Sequence, residues 1–457
     1  MEIKLLLVAV LLCIATSYSQ NTYVPDDNFE QALIDLGYDS GLLDDFVPTI
    51  NISDVKNLDI ENKNISDLTG IEDFSSLEGL NCNRNLLNSL DLSKNLELIS
   101  LKCSANKLTS LDVINNVKLE HLRCGSNLLT EIDISQNPTL FQLECSSNNL
   151  SELDTSGNKS LFGVFCSNNK LTSLNISKST QLTELICQSN FLADLDLTQN
   201  TLLEELHFGF NFLSDINLSK NIFLITIVCE SNQLVSLDLT QNTELAEIDF
   251  SSNQITEIDL TQNTELSNLY CISNQLTSLN LSKNTILLDI YCGNNQLTSL
   301  DLSTNSSLNE LSCSSNQLVN LNLQNGNNSD ISYIGSLNNP NLTCIQVDDA
   351  NYSTINWNAG NDIEPYTTFS ENCSTLSNDE YDLTTLNISP NPSNNKIILS
   401  IKELASFSII NINGQVIKKG NLSMGKNTVN LSHISKGFYF LNVKTTSGLI
   451  SKKLIKL

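Results

Sequence analysis

Cysteine recurs every 21 residues through the middle of the chain, and such a row of thiols could bind a soft metal or form disulfides. Phenylalanine takes the same phase at Phe208 and Phe250, which leaves Cys229 without a cysteine in either neighbouring copy. Because this position also accepts phenylalanine, we interpret it as buried apolar core rather than a reactive site. The row consists of Cys82, Cys103, Cys124, Cys145, Cys166, Cys187, Cys229, Cys271, Cys292 and Cys313.

A row of aspartates forms the second candidate for chemistry. Each lies between two leucines, so the alternation of a strand turns it outward. Stacked carboxylates repel one another, and Ca²⁺ would relieve that repulsion. A solvated acidic stripe is the other interpretation, because asparagine interrupts the row and no DxDxDG loop is present. The row is Asp91, Asp112, Asp133, Asp154, Asp196, Asp238, Asp259 and Asp301, with Asn175, Asn217, Asn280 and Asn322 between them.

Catalysis finds little support in the sequence. The three histidines, His121, His207 and His433, have no HExxH or GxSxG pattern around them. Pairs of aspartates are abundant, but a repeat produces such pairs without any catalytic purpose. We therefore expect no enzyme, no cofactor and no metal site.

The cysteines belong to a unit, LxCxxNxLxxLxLxxNxxLxx, repeated about twelve times from Gly79 to Leu323. Leu-x-Cys and Leu-Asp-Leu both alternate like strands, one on each side of a coil. Asparagines from Asn85 to Asn316 mark one corner, where they could adopt left-handed backbone and bond main-chain groups. A second row, Asn95 to Asn305 with Ser179 as its exception, marks the other corner. This fixed period predicts a solenoid whose neighbouring turns share one core.

The unit resembles the leucine-rich repeat in its short 21-residue class, called IRREKO, with cysteine in place of the usual leucine or isoleucine. The resemblance implies a mostly β fold, a curved right-handed solenoid used for binding. The irregular stretch from Val55 to Leu80 looks more like the repeats of bacterial internalins. We assign the solenoid to residues 55–343.

The residue before each cysteine position faces outward on the first strand and varies most. Six of these residues form an apolar and aromatic run with Asp249 as its one break, and exposed apolar patches usually mark interaction sites. Drift on an unselected surface is the alternative. We predict ligand binding by Phe165, Ile186, His207, Val228, Tyr270 and Tyr291.

Residues 1–19 read as a secretory signal peptide, because a charged start precedes a short apolar run and small residues. Cys13 raises a lipoprotein alternative, although Leu12 stands where that signal needs a small residue. Residues 20–54 form an N-terminal cap, with a helix over Asp26–Gly37 whose apolar stripe is Phe29, Ala32, Leu33 and Leu36. No other segment is long and apolar enough to span a membrane.

After Leu323 the repeat register fails at a polar insertion, 325–330, and residues 341–347 supply one last strand. Residues 344–373 form an aromatic C-terminal cap that resembles the ends of secreted Bacteroidetes leucine-rich repeat proteins. Cys344 and Cys373 are the one pair outside the ladder and the leader. A disulfide between them would close a loop of about 30 residues and stabilise the fold by roughly 3 kcal/mol.

Residues 374–386 are a polar linker, and the charge reverses beyond it. The segment 387–457 holds ten lysines and one glutamate, net +9, whereas the 14 bases and 50 acids before it leave −36. That acidic balance argues against nucleic acid as a partner. Five short alternating stretches, 397–401, 405–412, 428–431, 437–445 and 449–457, predict a small β-sandwich.

This last segment resembles the type IX secretion C-terminal sorting domain of Bacteroidetes. The matching blocks are SPNPS from Ser389, NGQ from Asn413, GFYFL from Gly437 and the terminal KKLIKL. The resemblance implies export to the cell surface by the type IX machinery, removal of the domain, and then anchoring to lipopolysaccharide or release. It implies that the sorting signal includes Pro390, Asn391, Pro392, Gly414, Gly437 and Lys453.

Together these observations predict a non-enzymatic, secreted or surface-anchored protein that binds a protein or glycan partner through its repeat face. The alternative is a structural surface or adhesion component that acts by self-association or calcium-bridged contacts. An enzyme is the third and least supported hypothesis.

Overall fold

The computed structural model describes residues 20–357, 363–373, 388–401, 404–444 and 449–457. The chain divides near residue 371 into two compact units. The predicted signal peptide, with Cys13, and the whole of the predicted linker 374–386 lie outside the described residues.

The first unit is built on a sheet of 14 parallel three-residue strands, which we call the front sheet. Each strand ends directly before the cysteine position, and the cysteine N–H still donates to the next coil, as from Cys187 to His207 at 2.8 Å. Leucine and cysteine side chains of all coils stack inward into one core. The strands are Asn57–Asp59, Gly79–Asn81, Ser100–Lys102, His121–Arg123, Gln142–Glu144, Gly163–Phe165, Glu184–Ile186, Glu205–His207, Thr226–Val228, Glu247–Asp249, Asn268–Tyr270, Asp289–Tyr291, Glu310–Ser312 and Tyr333–Gly335.

The opposite side of the coil, which we call the back, is less regular than predicted. Most Leu-Asp-Leu copies point their leucines inward without forming strands, because packing alone holds both inward side chains and needs no backbone pairing. Back strands form in a pair and in a four-stranded sheet of parallel neighbours. They are Glu152–Asp154 with Ser173–Asn175, and Ser299–Asp301, Asn320–Asn322, Cys344–Gln346 and Thr368–Ser370.

The first asparagine row ties each coil to the previous one. Asn211 Nδ2 donates to the carbonyls of Cys187, Phe208 and Gly209 at 3.0–3.2 Å, and its Oδ1 accepts from Leu192 N at 3.0 Å. The prediction of left-handed asparagines is wrong, because the residue before each asparagine takes that conformation, with φ of 53–58°. The turn at that earlier residue leaves the asparagine free to fold its amide back onto the carbonyls.

The second asparagine row is also buried, and each Nδ2 donates to two carbonyls of earlier coils, as Asn200 does to Ile176 and Ser179. At its one exception, the Ser179 hydroxyl still reaches the Asn158 carbonyl at 3.2 Å. Thr155, in a core position otherwise held by leucine, isoleucine or valine, lies 2.7 Å from Ser179, oxygen to oxygen. The two unusual residues therefore compensate for each other.

The N-terminal cap pairs Asn21–Tyr23 antiparallel with Phe46–Pro48 and adds helices Asp27–Asp35 and Thr49–Ile52. Asp26 caps the first helix through Asn28 N and Phe29 N, while its other oxygen binds Ser66. Leu36 does not join the predicted stripe and is exposed, because the helix ends before it. A 3-10 turn follows at Ile71–Asp73.

The repeat continues further at its C-terminal end than predicted. After the polar insertion, Tyr333–Gly335 adds another front strand, and Asn339 extends the asparagine row by accepting from Leu318 N. Cys344–Gln346 is not the last back strand, because Thr368–Ser370 pairs beside it. Helix Ala350–Asn356 lies between them, and the rings of Trp357 and Phe369 pack edge to face at 5.6 Å.

The second unit has two antiparallel sheets around its own core of Ile, Leu, Val, Phe and Tyr side chains. The predicted β-sandwich strands are present, and Ile388–Ser389 and Val416–Leu422 are additional ones. The first sheet holds Ile388–Ser389, Lys396–Ile401 and Gly425–Asn430; the second holds Val416–Leu422, Ala405–Asn411, Gly437–Lys444 and Leu449–Lys456.

Replacing Asn211 with alanine should lower the free energy of unfolding by about 1–3 kcal/mol, because the buried Leu192 N–H loses its acceptor. Urea denaturation of the full chain measures this. Asn217→Ala is the matched control, since Asn217 is exposed and accepts from Ser219 N within its own turn. Equal effects of the two changes would contradict the role of the buried row.

The ten ladder thiols should be unreactive in the folded chain. Burial raises the pKa of the Cys145 thiol from 9.0 to about 12. Above pH 9 the unfolded chain loses thiol protons that the folded core keeps. The stability that the protonated thiols contribute is therefore complete below pH 9, and the free energy of unfolding falls as pH rises towards 12. Labelling with a thiol reagent should be fast only after denaturation, and rapid labelling of the native ladder would overturn the core assignment.

Cys145→Ser should cost about 1–3 kcal/mol of stability, because it buries an unpaired hydroxyl. Cys145→Ala removes the thiol without adding a hydroxyl and serves as the control. Serine that was no worse than alanine in urea denaturation would contradict this explanation.

Candidate binding face

The outward side chains of the front sheet form what we call the front face, with two outward residues on each strand. The last residues of seven neighbouring strands stand side by side in register. Phe165 lies opposite Ile186, followed by His207, Val228, Asp249, Tyr270 and Tyr291. All seven are half-buried. The rings of Tyr270 and Tyr291 stack 5.3 Å apart at an interplanar angle of 23°. The structure thus brings together all six predicted ligand-binding residues.

The same face is strongly acidic. From Gln142–Glu144 to Glu310–Ser312, its outward positions carry seven carboxylates and no lysine or arginine. Arg123 of the preceding strand lies 4.0 Å from Glu144, and His207 Nε2 lies 3.2 Å from Glu205. Among the described residues, the other five carboxylates have no ion-pair partner. The seven are Glu144, Glu184, Glu205, Glu247, Asp249, Asp289 and Glu310.

Several of these carboxylates are held in an unfavourable environment. Partial burial, with Glu205 and Glu204 nearby, raises the pKa of Glu184. Burial and the neighbouring Glu310 raise the pKa of Asp289 in the same way. The Oδ1 atom of Asp289 is buried without a hydrogen-bond donor in the described part of the chain. A cation on this face would therefore relieve both repulsion and lost solvation.

The aspartates of the back are in the opposite situation. Each accepts the backbone N–H two residues ahead, as Asp238 does from Thr240, whose hydroxyl also donates to it at 2.8 Å. These hydrogen bonds lower the pKa of Asp91, Asp133, Asp196, Asp238 and Asp259. The row thus has a local role in shaping turns. No cluster of three metal-binding side chains occurs among the described residues.

A groove of about 600 Å³ lies on the back, between Ser110 and Asn175. Three aspartates of the back row, Asp112, Asp133 and Asp154, line it together with serines and small apolar surfaces. The carboxylates of these three aspartates already accept backbone N–H groups, so this part of the lining follows from the turns.

Two rows of exposed apolar side chains border the front face and were missed from the sequence. The leading edge, directly before the strands, holds Phe141, Phe162 and Ile225, and the two rings stack at 5.1 Å. The trailing edge lies in the turns after the strands and holds Phe191, Phe210 and Phe212. The sequence does contain a signal for the trailing edge, because the equivalent positions hold mostly serine, asparagine or glutamine in other copies.

Phe210 is unusual among these residues. It is 54% exposed and adopts the left-handed backbone, with φ of 55°. The equivalent turn residue in the other copies is serine, asparagine, alanine or arginine. A bulky side chain is rare in this conformation, and strain of this kind collects at functional sites. Phe210 lies three residues after His207, so the trailing edge is within about 10 Å of the front face along the chain.

The remaining predicted site residues lie elsewhere. Cys344 and Cys373 are both disulfide-bonded. In the second unit, Asn391 donates to the Lys453 carbonyl at 2.7 Å and accepts from Ile455 N, which fastens the Pro390–Pro392 segment to the last strand. Gly414 occupies a turn at φ of 79°, and Gly437 begins the strand Gly437–Lys444. The Lys453 ammonium lies 4.7 Å from the centre of the Phe438 ring.

The comparisons with known proteins agree with this architecture. Residues 387–457 match the family model of the secretion system C-terminal sorting domain. No curated protein matches the sequence. The chain is similar to the functional domain of InlJ from Listeria monocytogenes, which includes a cysteine ladder, with 27% identity and a TM-score of 0.67 over 96% of this chain and 99% of that chain.

Two further structures share the fold. An internalin, InlF of Listeria monocytogenes, is 23% identical over 66% of this chain and 94% of its own, with a TM-score of 0.59. A leucine-rich repeat protein of Leptospira interrogans is 23% identical over 59% and 80%, with a TM-score of 0.52. The chain is therefore a secreted or cell-surface leucine-rich repeat protein with a type IX secretion sorting domain. No helix in the described residues could cross a membrane.

We expect material recovered from the cell surface to lack residues 387–457, because the resemblance to type IX sorting domains implies that the domain is removed on export. Intact-mass measurement of the mature protein tests this, with the unexported intracellular chain as the control. Surface material that retained the segment would contradict removal.

Proposed function

We propose that the chain is a non-enzymatic binding protein of the cell surface or the extracellular space, which uses its front face to bind a protein or glycan partner. The observation that carries this proposal is the row from Phe165 to Tyr291. Its members lie side by side on a rigid sheet, and the inward leucines and cysteines already form the core, so the core does not need these side chains. Rigid aromatic residues offer contact area at low entropic cost.

The chemistry of the face supports binding rather than catalysis. The ten ladder thiols are buried and their pKa values are raised, so they are poor nucleophiles. His207 contacts Glu205 in the described structure, and neither belongs to a site with a nucleophile within reach. The carboxylates that share the face stand along a ladder rather than around an enclosed cavity.

Self-association and calcium bridging are less well supported. Two copies that met front to front would bring seven carboxylates of each into one interface, which costs free energy. Calcium on the back would have to compete for aspartate oxygens that already accept backbone N–H groups. After export, we propose that the mature chain is either anchored to lipopolysaccharide or released, as sorting domains of this type imply.

Replacing Tyr270 and Tyr291 together with serine should weaken partner binding by about tenfold or more while folding stays nearly unchanged. Binding of the full chain to protein and glycan arrays measures the first effect, and thermal unfolding measures the second. Asp238→Asn with Asp259→Asn, on the back, is the control. If the tyrosine variant bound its partner normally while the control lost binding, the back would replace the front face as the candidate site.

A further inference from the structure

We propose that the occupant of the front face is a protein segment that is both cationic and apolar, with lysine or arginine side chains placed between aromatic or aliphatic ones. This inference rests on the proposed function and names the chemistry of its partner. It depends on three features of the face: its unpaired carboxylates, its two apolar edges, and the way its tyrosines stack.

The first feature is charge. Over nine consecutive strands the front face offers seven carboxylates and no lysine or arginine, and five of the seven lack an ion-pair partner in the described structure. The back is also acidic, but its aspartates are satisfied by their own turns. A cation therefore gains more electrostatic free energy on the front face than beside the aspartate row of the back. A buried acceptor such as Asp289 Oδ1 would also receive a donor.

The second feature is the pair of apolar edges. Phe141, Phe162 and Ile225 are 37–44% exposed on one side of the acidic face, and Phe191, Phe210 and Phe212 are 48–54% exposed on the other. Apolar contacts at both sides of a charged strip exclude water from it and strengthen the ion pairs within. An occupant that spans the strip must therefore present apolar side chains on both flanks of its cations.

The third feature separates a protein from a glycan. A sugar ring stacks best on the open face of an aromatic ring. Tyr270 and Tyr291 cover each other's faces at 5.3 Å, and the Tyr291 hydroxyl already donates to Glu310. Phe191 and Phe212 are also stacked, 6.0 Å apart. Stacking leaves fewer open ring faces for a flat sugar, whereas ring edges still suit packing against aliphatic and aromatic side chains.

The experiment selects the partner chemistry without assuming it. A phage-displayed library of random peptides is panned on the full chain and counter-selected on a front variant, E184Q/E247Q/D289N. The side chains of this variant occur in the same slot of other copies, at Gln142 and Asn268, so the fold tolerates them. Enriched peptides should be rich in lysine or arginine interleaved with aliphatic or aromatic residues.

One enriched peptide is then titrated by fluorescence anisotropy at physiological salt. The front variant should lose about tenfold or more in affinity. The back variant D196N/D238N/D259N removes the same three charges, copies the natural Asn175 and Asn217, and should stay within about twofold. The edge variant F191Q/F210S/F212Q, also built from residues of other copies, should lose about tenfold as well.

Several results would overturn the inference. Enrichment of acidic or uncharged peptides, no enrichment, or equal losses in the front and back variants would each do so, the last because binding would then follow net charge alone. Binding of a neutral oligosaccharide or of a second copy that requires Tyr270 and Tyr291 would overturn it too, but would leave the proposed function standing. The proposed function itself fails only if no front-face change affects any binding.

Discussion

The buried asparagine amide is the interaction on which the solenoid depends. A coil of 21 residues turns two tight corners, and each corner leaves backbone carbonyls and N–H groups inside the protein, where an unpaired group costs about 1–3 kcal/mol. Asn211 satisfies three carbonyls and one N–H, and these groups belong to more than one coil. No coil is satisfied alone, so the same residues that close the corners also join neighbouring coils.

The pair of Thr155 and Ser179 illustrates this constraint. Serine is too short to replace the asparagine amide fully, and threonine is polar in a position that otherwise holds an aliphatic side chain. The Thr155 hydroxyl lies 2.7 Å from the Ser179 hydroxyl and 3.1 Å from the Asn175 carbonyl, and Ser179 reaches the Asn158 carbonyl, so the two residues join one buried hydrogen-bond network. The row therefore requires hydrogen-bond donors at fixed places more strictly than it requires asparagine itself.

Much of the fold could be predicted from the sequence, because period and residue type agree. The 21-residue phase correctly placed Phe165, Ile186 and His207 side by side, since strand pairing copies the phase from coil to coil. The left-handed turn residue was misplaced by one position, because asparagine is tolerant of that conformation but is needed for its amide. The extra strand Tyr333–Gly335 was missed because a longer coil hides the period although the asparagine bond survives it.

The candidate site was only half predictable, and the reason is physical. Alternation identifies outward side chains within a strand, so the aromatic row could be found. The edges lie in turns, where exposure depends on how neighbouring coils stack, and the sequence alone does not reveal that Phe210 is left-handed and exposed. The electrostatic contrast is also structural, because Asp238 and Glu247 look alike in the sequence. Only the turn geometry shows that the first carboxylate is satisfied by the backbone and the second is available to a partner.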